Sequence, residues 1–177
     1  MPVAKAFASK LNEQIANEFG AHQQYVACAV YYEAETLPQL AAFFYRQALE
    51  ERGHAMMMIQ YLLDTGAEVT TPGVTAPRTT FADVVEPVKL ALAQEREVSE
   101  QINRLASTAR DESDFAAEQF MQWFIAEQIE EVSTMSDLLA VAERSRGRVA
   151  EIEDFLAREH PGEDGPDAGA PRQAGGQ

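Results

Sequence analysis

Apolar residues along most of the chain recur at alternating spacings of three and four, the period of a helix that buries one face. Four long stretches carry this pattern, and a shorter one follows them near the C-terminus. The pattern predicts α-helices over about residues 6–35, 39–65, 82–110, 114–145 and 148–159. The expected fold is therefore all-α, a four-helix bundle with a short fifth helix.

The connection between the second and third helices is long. It runs from Gly66 to Phe81 and contains Pro72, Gly73 and Pro77. When extended it can reach about 50 Å, whereas a helix of the predicted length is about 40 Å long. We therefore expect a crossover that runs the length of the bundle, and not a short hairpin turn.

Local signals suggest where the helices begin and end. The segment from Thr36 to Gln39 resembles a capping box at the start of the second helix. Gly66 is a natural stop for that helix, and Ser113 or Asp114 can cap the start of the fourth.

The chain of 177 residues is long enough for one domain with a real core. We assign residues 1–160 to that domain. Beyond His160 the sequence consists mostly of Gly, Pro, Ala and Asp without an apolar period. Residues 161–177 are therefore predicted to form a disordered C-terminal tail.

Charge and cysteine content exclude several classes of function. Fourteen basic residues against 29 acidic ones give a net charge of −15, which argues against nucleic acid and anionic membranes as partners. The single cysteine, Cys28, rules out an internal disulfide and a Cys-based zinc or iron–sulfur site. No secretory signal is visible, and the longest apolar run, 25–32, is too short to span a bilayer. We expect a cytoplasmic protein.

Polar residues of the metal-ligand type interrupt the apolar stripe of each long helix. The first two helices should form one hairpin that turns near Leu37, and the third and fourth should form another that turns near Glu112. The polar residues lie at similar distances from these turns, so they should meet at the middle of the bundle. Unpaired carboxylates in a core cost several kcal/mol each, and a hard cation would compensate them. The residues are Glu18, Glu51, His54, Glu95, Gln128 and Glu131.

The ligand types indicate which metal would bind. Carboxylates with one imidazole suit Fe(II) or Mn(II) and do not select copper. Four glutamates nearly neutralise two divalent ions, and Glu51, beside His54 on the same helix face, is the best candidate to bridge them. Tyr25 lies on the face of Glu18, where it could hydrogen-bond a ligand or donate an electron; a simple core tyrosine is an equal alternative.

Taken together, these residues resemble a bacterial non-haem ferritin, a member of the ferritin-like di-iron family, over about residues 6–160. The resemblance rests on short matching segments around the polar positions. They are Leu11-Asn12-Glu13-Gln14 before Glu18, Glu50-Glu51 with His54, Glu95, and Gln122-Trp123-Phe124 leading into Glu127-Gln128 and Glu130-Glu131.

The resemblance implies an iron-storage protein with a ferroxidase centre. By it, the first iron would be held by Glu18, Glu51 and His54, and the second by Glu51, Glu95 and Glu131 with Gln128 beside it. An additional third iron would be held by Glu50, Glu127, Glu130 and Glu131. It also implies a homo-oligomeric cage of 24 subunits that oxidises Fe(II) with O2 or peroxide and stores the ferric product as a mineral.

Two other functions stay open from the sequence alone. A di-iron or di-manganese oxidase or peroxidase could use the same bundle on another substrate, and would need a substrate cavity beside the metals. A non-catalytic helical scaffold could instead pair its buried acids with Arg52 or Arg96. Few basic residues fall on the apolar stripes, which disfavours the scaffold.

We predict that the protein binds no haem. Haem-binding bacterioferritins carry a methionine directly after the bridging glutamate, where this chain has Arg52. A guanidinium stays protonated and is a poor iron ligand. Reconstitution with haem should therefore give no stoichiometric Soret band in the absorbance spectrum. A stoichiometric band that disappears on substituting Met56, Met57 or Met58 would contradict this prediction.

Overall fold

The structure, a computed structural model, describes residues 3–162 and 169–175. Within these residues the chain forms five α-helices and no strand. They are α1 (Lys5–Ala34), α2 (Pro38–Asp64), α3 (Glu86–Asp111), α4 (Phe115–Arg144) and α5 (Val149–Glu159). The all-α prediction is confirmed, and all helix ends but one lie within one residue of those expected.

The exception is the start of α3, which begins at Glu86 and not near residue 82. The carboxylate of Asp83 accepts hydrogen bonds from the backbone N–H groups of Val85, at 2.9 Å, and Glu86, at 3.0 Å. This side chain holds the preceding residues in a turn. Pro87 then lies in the first turn of the helix, where its missing N–H leaves no hydrogen bond unmade.

Three helix ends are closed by the same backbone motif. At the end of α2, the N–H of Ala67 bonds to the carbonyl of Leu62 at 2.9 Å, with Gly66 at a φ of 71°. The equivalent positions after α1 and α3 are Thr36, at a φ of 62°, and Ser113, at 56°. These left-handed residues satisfy carbonyl groups that a helix end would otherwise leave unpaired.

The N-terminus of α2 is capped from a distance. Thr36 makes no capping hydrogen bond, so the capping box expected there is wrong. The Glu153 carboxylate of α5 accepts instead from the N–H groups of Gln39, at 2.9 Å, and Leu40, at 2.8 Å. A negative group at a helix N-terminus also interacts favourably with the helix dipole. At α4 the expected cap is present, because Asp114 accepts from the N–H of Ala117 at 3.0 Å.

The connection between α2 and α3 is the predicted crossover, and side chains of α1 hold it along its course. Near the beginning of α1, Asn12 donates to the carbonyl of Glu68 at 3.0 Å and accepts from the N–H of Thr70 at 2.7 Å. Further along, Gln24 makes the same pair of bonds to the backbone of Arg78, at 2.8 and 2.9 Å. The segment thus runs beside α1, so that α3 starts at the end of the bundle where α2 also starts.

Buried apolar residues form two clusters, one toward each end of the bundle. One cluster is built around Tyr25, Tyr32 and Phe44, and α5 contributes Ile152 and Leu156 to it. The other is built around buried aliphatic and aromatic residues that include Phe7, Leu11, Met58, Ile102 and Phe124. A layer of buried polar side chains lies between the clusters, so the polar site is at the middle of the bundle.

Part of the C-terminal segment predicted to be disordered lies within the described residues. Residues 169–175 form no helix or strand, but they contact α2. Arg172 pairs with Asp64 at 2.9 Å, and the N–H of Ala174 donates to the carbonyl of Met56 at 3.0 Å. Residues 163–168, 176 and 177 lie outside the described residues, so the disorder predicted for the whole tail stays a prediction.

Among the helices that the structure describes, none combines the length and the apolar character needed to span a bilayer.

We predict that Glu153→Ala lowers the free energy of unfolding by about 1–2 kcal/mol, because α2 then loses its N-terminal cap. Thermal unfolding of the assembled protein at fixed concentration measures the effect. Asp154→Ala is the matched control, since it removes an exposed acid from the same helix, and surface changes of this kind stay within about 0.5 kcal/mol. Equal unfolding temperatures for the two variants would contradict the capping role.

Candidate metal centre

Six polar side chains lie buried between the two apolar clusters, each at most 5% exposed. Two helices contribute a pair at a spacing of three residues, which places both members on one helix face. The structure thus brings together all six of the predicted core positions. They are Glu18 on α1, Glu51 and His54 on α2, Glu95 on α3, and Gln128 and Glu131 on α4.

The ligand atoms form two overlapping groups. In the first group, atoms of Glu18, Glu51 and His54 all lie within 4.8 Å of one another. In the second, atoms of Glu51, Glu95 and Glu131 meet the same limit. Glu51 is common to both groups, which is the arrangement that a carboxylate bridging two ions requires.

The carboxylate oxygens differ in whether they are already hydrogen-bonded. Among the described residues, both oxygens of Glu51 lack a hydrogen-bond partner, as do Oε2 of Glu18 and Oε1 of Glu131. Buried polar atoms are nearly always paired, so four such oxygens in one place indicate a missing partner. A cation fits them, since it alone neutralises several carboxylates at once.

Neutral donors occupy the other oxygens. The amide of Gln14 donates to Oε1 of Glu18 at 2.8 Å. The hydroxyl of Tyr25 donates to Glu95, and the amide of Gln128 donates to Glu131. Each terminal carboxylate is therefore held by a group without charge, and its negative charge stays available to a metal.

Gln128 is itself oriented by a further residue. Ser99 donates from its hydroxyl to Oε1 of Gln128 at 2.9 Å. The NH2 group of Gln128 consequently faces Glu131 and also lies 3.4 Å from Oε2 of Glu95. Ser99 and Gln14 were not among the residues predicted from the sequence. Both lie one helical turn from a predicted glutamate, Gln14 from Glu18 and Ser99 from Glu95, but no spacing relates Ser99 to Gln128 on α4.

Burial and mutual repulsion favour the protonated form of most of these acids. Burial, followed by the charges of Glu95 and Glu18, raises the pKa of Glu51 well above its usual 4.5. The pKa of Glu131 is raised in the same way, by burial and then by the charge of Glu51. Without a cation the site therefore binds protons, and metal binding must displace them.

Glu18 and His54 behave as an ion pair. Burial raises the pKa of Glu18, but the interaction with His54, whose Nδ1 lies 3.7 Å from Oε2, outweighs it and lowers the pKa. Burial likewise opposes the charged form of His54, yet Glu131 and Glu18 raise its pKa to about 10. The imidazolium thus stands where a divalent ion would supply positive charge.

Aromatic rings shield this part of the site. The ring of Trp123 lies 5.5 Å from that of His54, and the ring of Phe124 lies 5.8 Å from it, both edge to face. The two rings limit the positions open to the imidazole, and their apolar faces exclude water from one side of the centre.

An acidic cavity of about 230 Å³ adjoins the buried centre. Glu131 belongs to both, and Glu127 lies within 4.8 Å of Glu131 and His54. Glu50 and Glu130 line the same cavity and are exposed, whereas Glu127 is half-buried. The residues that the resemblance assigns to a third iron thus line this cavity, on the solvent side of the two groups of ligand atoms.

Comparison with known proteins agrees with this geometry. The model of the ferritin-like domain matches residues 8–145. "Ferritin BfrB" of Mycolicibacterium smegmatis is 52% identical over 170 residues, covering 96% of this chain and 93% of that protein. "Bacterioferritin BfrB" of Mycobacterium tuberculosis strain H37Rv is 54% identical over 172 residues, covering 97% and 94%.

More distant relatives share the fold. A "bacterial non-heme ferritin" of Staphylococcus aureus strain NCTC 8325 is 37% identical over 131 residues, covering 74% of this chain and 79% of that protein. The crystal structure of an open pore ferritin from Archaeoglobus fulgidus superposes with a TM-score of 0.84 at 25% identity, covering 88% of this chain and 98% of that one. With its matching domain, its bundle and its relatives, this chain belongs to the ferritin family.

Proposed function

We propose that this ferritin oxidises Fe(II) with O2 at the buried carboxylate centre and stores the Fe(III) product as a mineral inside a cage. The observation that carries the proposal is Glu51, whose two oxygens both lack a hydrogen-bond partner among the described residues and which is shared by two groups of metal-ligand atoms. Two Fe(II) ions bound by those groups would lie side by side.

Two adjacent ions suit the chemistry of O2 reduction. Two Fe(II) together give two electrons to one O2, which with two protons becomes hydrogen peroxide, so no superoxide is released. His54, Glu18, Glu95 and Glu131 would hold the two ions, and their buried setting keeps bulk water away. The protons held by the metal-free acids leave as Fe(II) binds. Tyr25 donates to Glu95 and so holds one terminal ligand in place.

The acidic cavity gives a place for a third Fe(II). Glu50, Glu127, Glu130 and Glu131 line it, next to the proposed pair. An ion at this position could supply further electrons to the oxidant or pass from the centre toward the mineral. The alternative is an exposed acidic face that serves only solubility.

Oligomerisation has support in the exposed apolar residues of the single chain. Val30 on α1 and Leu49 and Leu63 on α2 are 53–63% exposed. Such side chains favour burial at subunit contacts, consistent with a cage of 24 subunits. The net charge of −15 would attract Fe(II) to the cage. We place the protein in the cytoplasm.

The two rival functions fit the geometry less well. An oxidase or peroxidase for an organic substrate needs room beside the metals, yet the side of the adjoining cavity nearest the centre carries Glu127, Glu130 and Glu131, which suit a cation. A scaffold needs its buried acids paired with arginine, but Arg52 and Arg96 are exposed. Among the described residues, His54 is the only cationic side chain within ion-pair distance of these acids.

We expect Glu51→Ala to abolish the fast phase of Fe(II) oxidation, because both proposed ions lose a shared ligand. The metal-free bundle should keep its fold and be as stable or more stable, since a buried, repelled carboxylate is gone. Stopped-flow absorbance on aerobic mixing with Fe(II) measures the rate, and circular dichroism checks the helices. An initial rate equal to that of the unsubstituted protein would overturn the assignment.

For the third position, we expect the double variant Glu127→Ala, Glu130→Ala to keep the first burst of oxidation but to consume more O2 per Fe(II). A third ion then no longer supplies electrons, so consumption should rise toward one O2 for two Fe(II), and later turnovers should slow. An oxygen electrode with small Fe(II) increments measures both quantities.

The matched control for this experiment is Glu97→Ala, Glu100→Ala, which removes the same charge from an exposed face of α3. If the two double variants share the stoichiometry and regeneration of the unsubstituted protein, then Glu127 and Glu130 are surface charge only.

A further inference from the structure

Gln14 connects a metal-ligand position to the outside of the bundle. It lies on α1, one turn before Glu18, and is only 2% exposed. Its amide nitrogen donates to Oε1 of Glu18 at 2.8 Å. Its amide oxygen accepts from the side-chain amide of Asn17 at 3.2 Å. The three side chains thus form a short hydrogen-bonded chain that ends at the centre.

The ionised carboxylate of Glu18 determines which group donates in each of these hydrogen bonds. An ionised carboxylate can only accept hydrogen bonds, so Gln14 must turn its NH2 group toward Glu18. The carbonyl of Gln14 then necessarily faces Asn17, and Asn17 must donate. Reversing either amide would place two acceptors or two donors against each other.

The two oxygens of Glu18 are made unequal by this bond. Oε1 is occupied by Gln14, whereas Oε2 has no hydrogen-bond partner among the described residues and lies 3.7 Å from Nδ1 of His54. We propose that Gln14 is a positioning residue, oriented by Asn17, that makes Glu18 bind metal through Oε2 alone. The proposal rests on the proposed function, since it requires a metal at the centre.

A neutral amide suits this role better than a cation would. An arginine at position 14 would neutralise Glu18 and compete with the metal for its charge. An amide holds the carboxylate but leaves its charge in place. Partners of this kind, one step removed from the metal, change metal affinity about 10–100-fold when they are removed.

Substitutions of Asn17 test this row of hydrogen bonds without altering the buried residues. Asn17 is exposed and lines a cavity of about 270 Å³ between α1, the crossover and α3. Asn17→Asp puts an acceptor where the donor stood, so residue 17 and Glu18 compete for the NH2 of Gln14 and the hydrogen bond to Glu18 weakens. Asn17→Ala removes the donor without reversing the amide.

The experiment titrates the metal-free, assembled protein with Co(II), whose visible absorption reports coordination and which needs no oxidation step. Gln14→Leu, of similar volume, should weaken the tightest Co(II) binding about tenfold and change the absorption bands, as Glu18 gains a second oxygen for the metal. Asn17→Asp should resemble Gln14→Leu, and Asn17→Ala should lie between them and the unsubstituted protein.

Gln24→Leu is the matched control. It removes another buried glutamine of α1, one that holds the crossover through Arg78 and has no contact with the centre. It should lower thermal stability but leave Co(II) affinity and spectrum unchanged. This variant distinguishes the general effect of losing a buried hydrogen bond from the specific effect of freeing Oε1 of Glu18.

The outcomes separate the two proposals. Tight Co(II) binding by the unsubstituted protein, with the same affinity and spectrum in Gln14→Leu and Asn17→Asp, would overturn the positioning role and leave the proposed function standing. Absence of Co(II) binding by the unsubstituted protein would overturn both. The positioning role is supported if Co(II) affinity falls in the order unsubstituted protein, Asn17→Ala, then Asn17→Asp and Gln14→Leu together. A purely structural effect would not follow the direction of the amide.

Discussion

The burial of mutually repelling carboxylates at the middle of the bundle is the constraint on which the rest of the structure depends. Four glutamates and one histidine lie almost without solvent exposure, and four of the carboxylate oxygens have no hydrogen-bond partner within the described part of the chain. Such a layer opposes folding unless protons or cations neutralise it. The apolar clusters on either side hold the four helices together across it.

The buried acids differ in whether they accept a hydrogen bond from a neutral donor. Gln14, Tyr25 and Gln128 each hold one terminal carboxylate without cancelling its charge. Glu51 receives no such bond, so both of its oxygens stay available between the two groups of ligand atoms. Glu51, which both groups share, therefore differs from the other three acids in its supporting hydrogen bonds, although all four are the same residue type.

The ligand atoms come together only if each helix lies at the right height in the bundle as well as facing the right way. Asn12 and Gln24 hold the crossover beside α1 at two points along its course. Glu153 of α5 caps the start of α2 and ties these two helices together. A shift of one helical turn, about 5.4 Å, would separate ligand atoms that now lie within 4.8 Å.

The five helices, the crossover and the polar positions that face the core can be predicted from the order of residues alone. Helix periodicity assigns each residue to a face from its spacing alone, and so Glu18, Glu51 and Glu95 could be placed at mid-bundle in advance. Which carboxylate oxygens accept hydrogen bonds depends on contacts that form on folding, such as the bond from Ser99 on α3 that orients the amide of Gln128 on α4. The tertiary structure also decided the cap of α2, because Glu153 meets that helix only after the chain has folded.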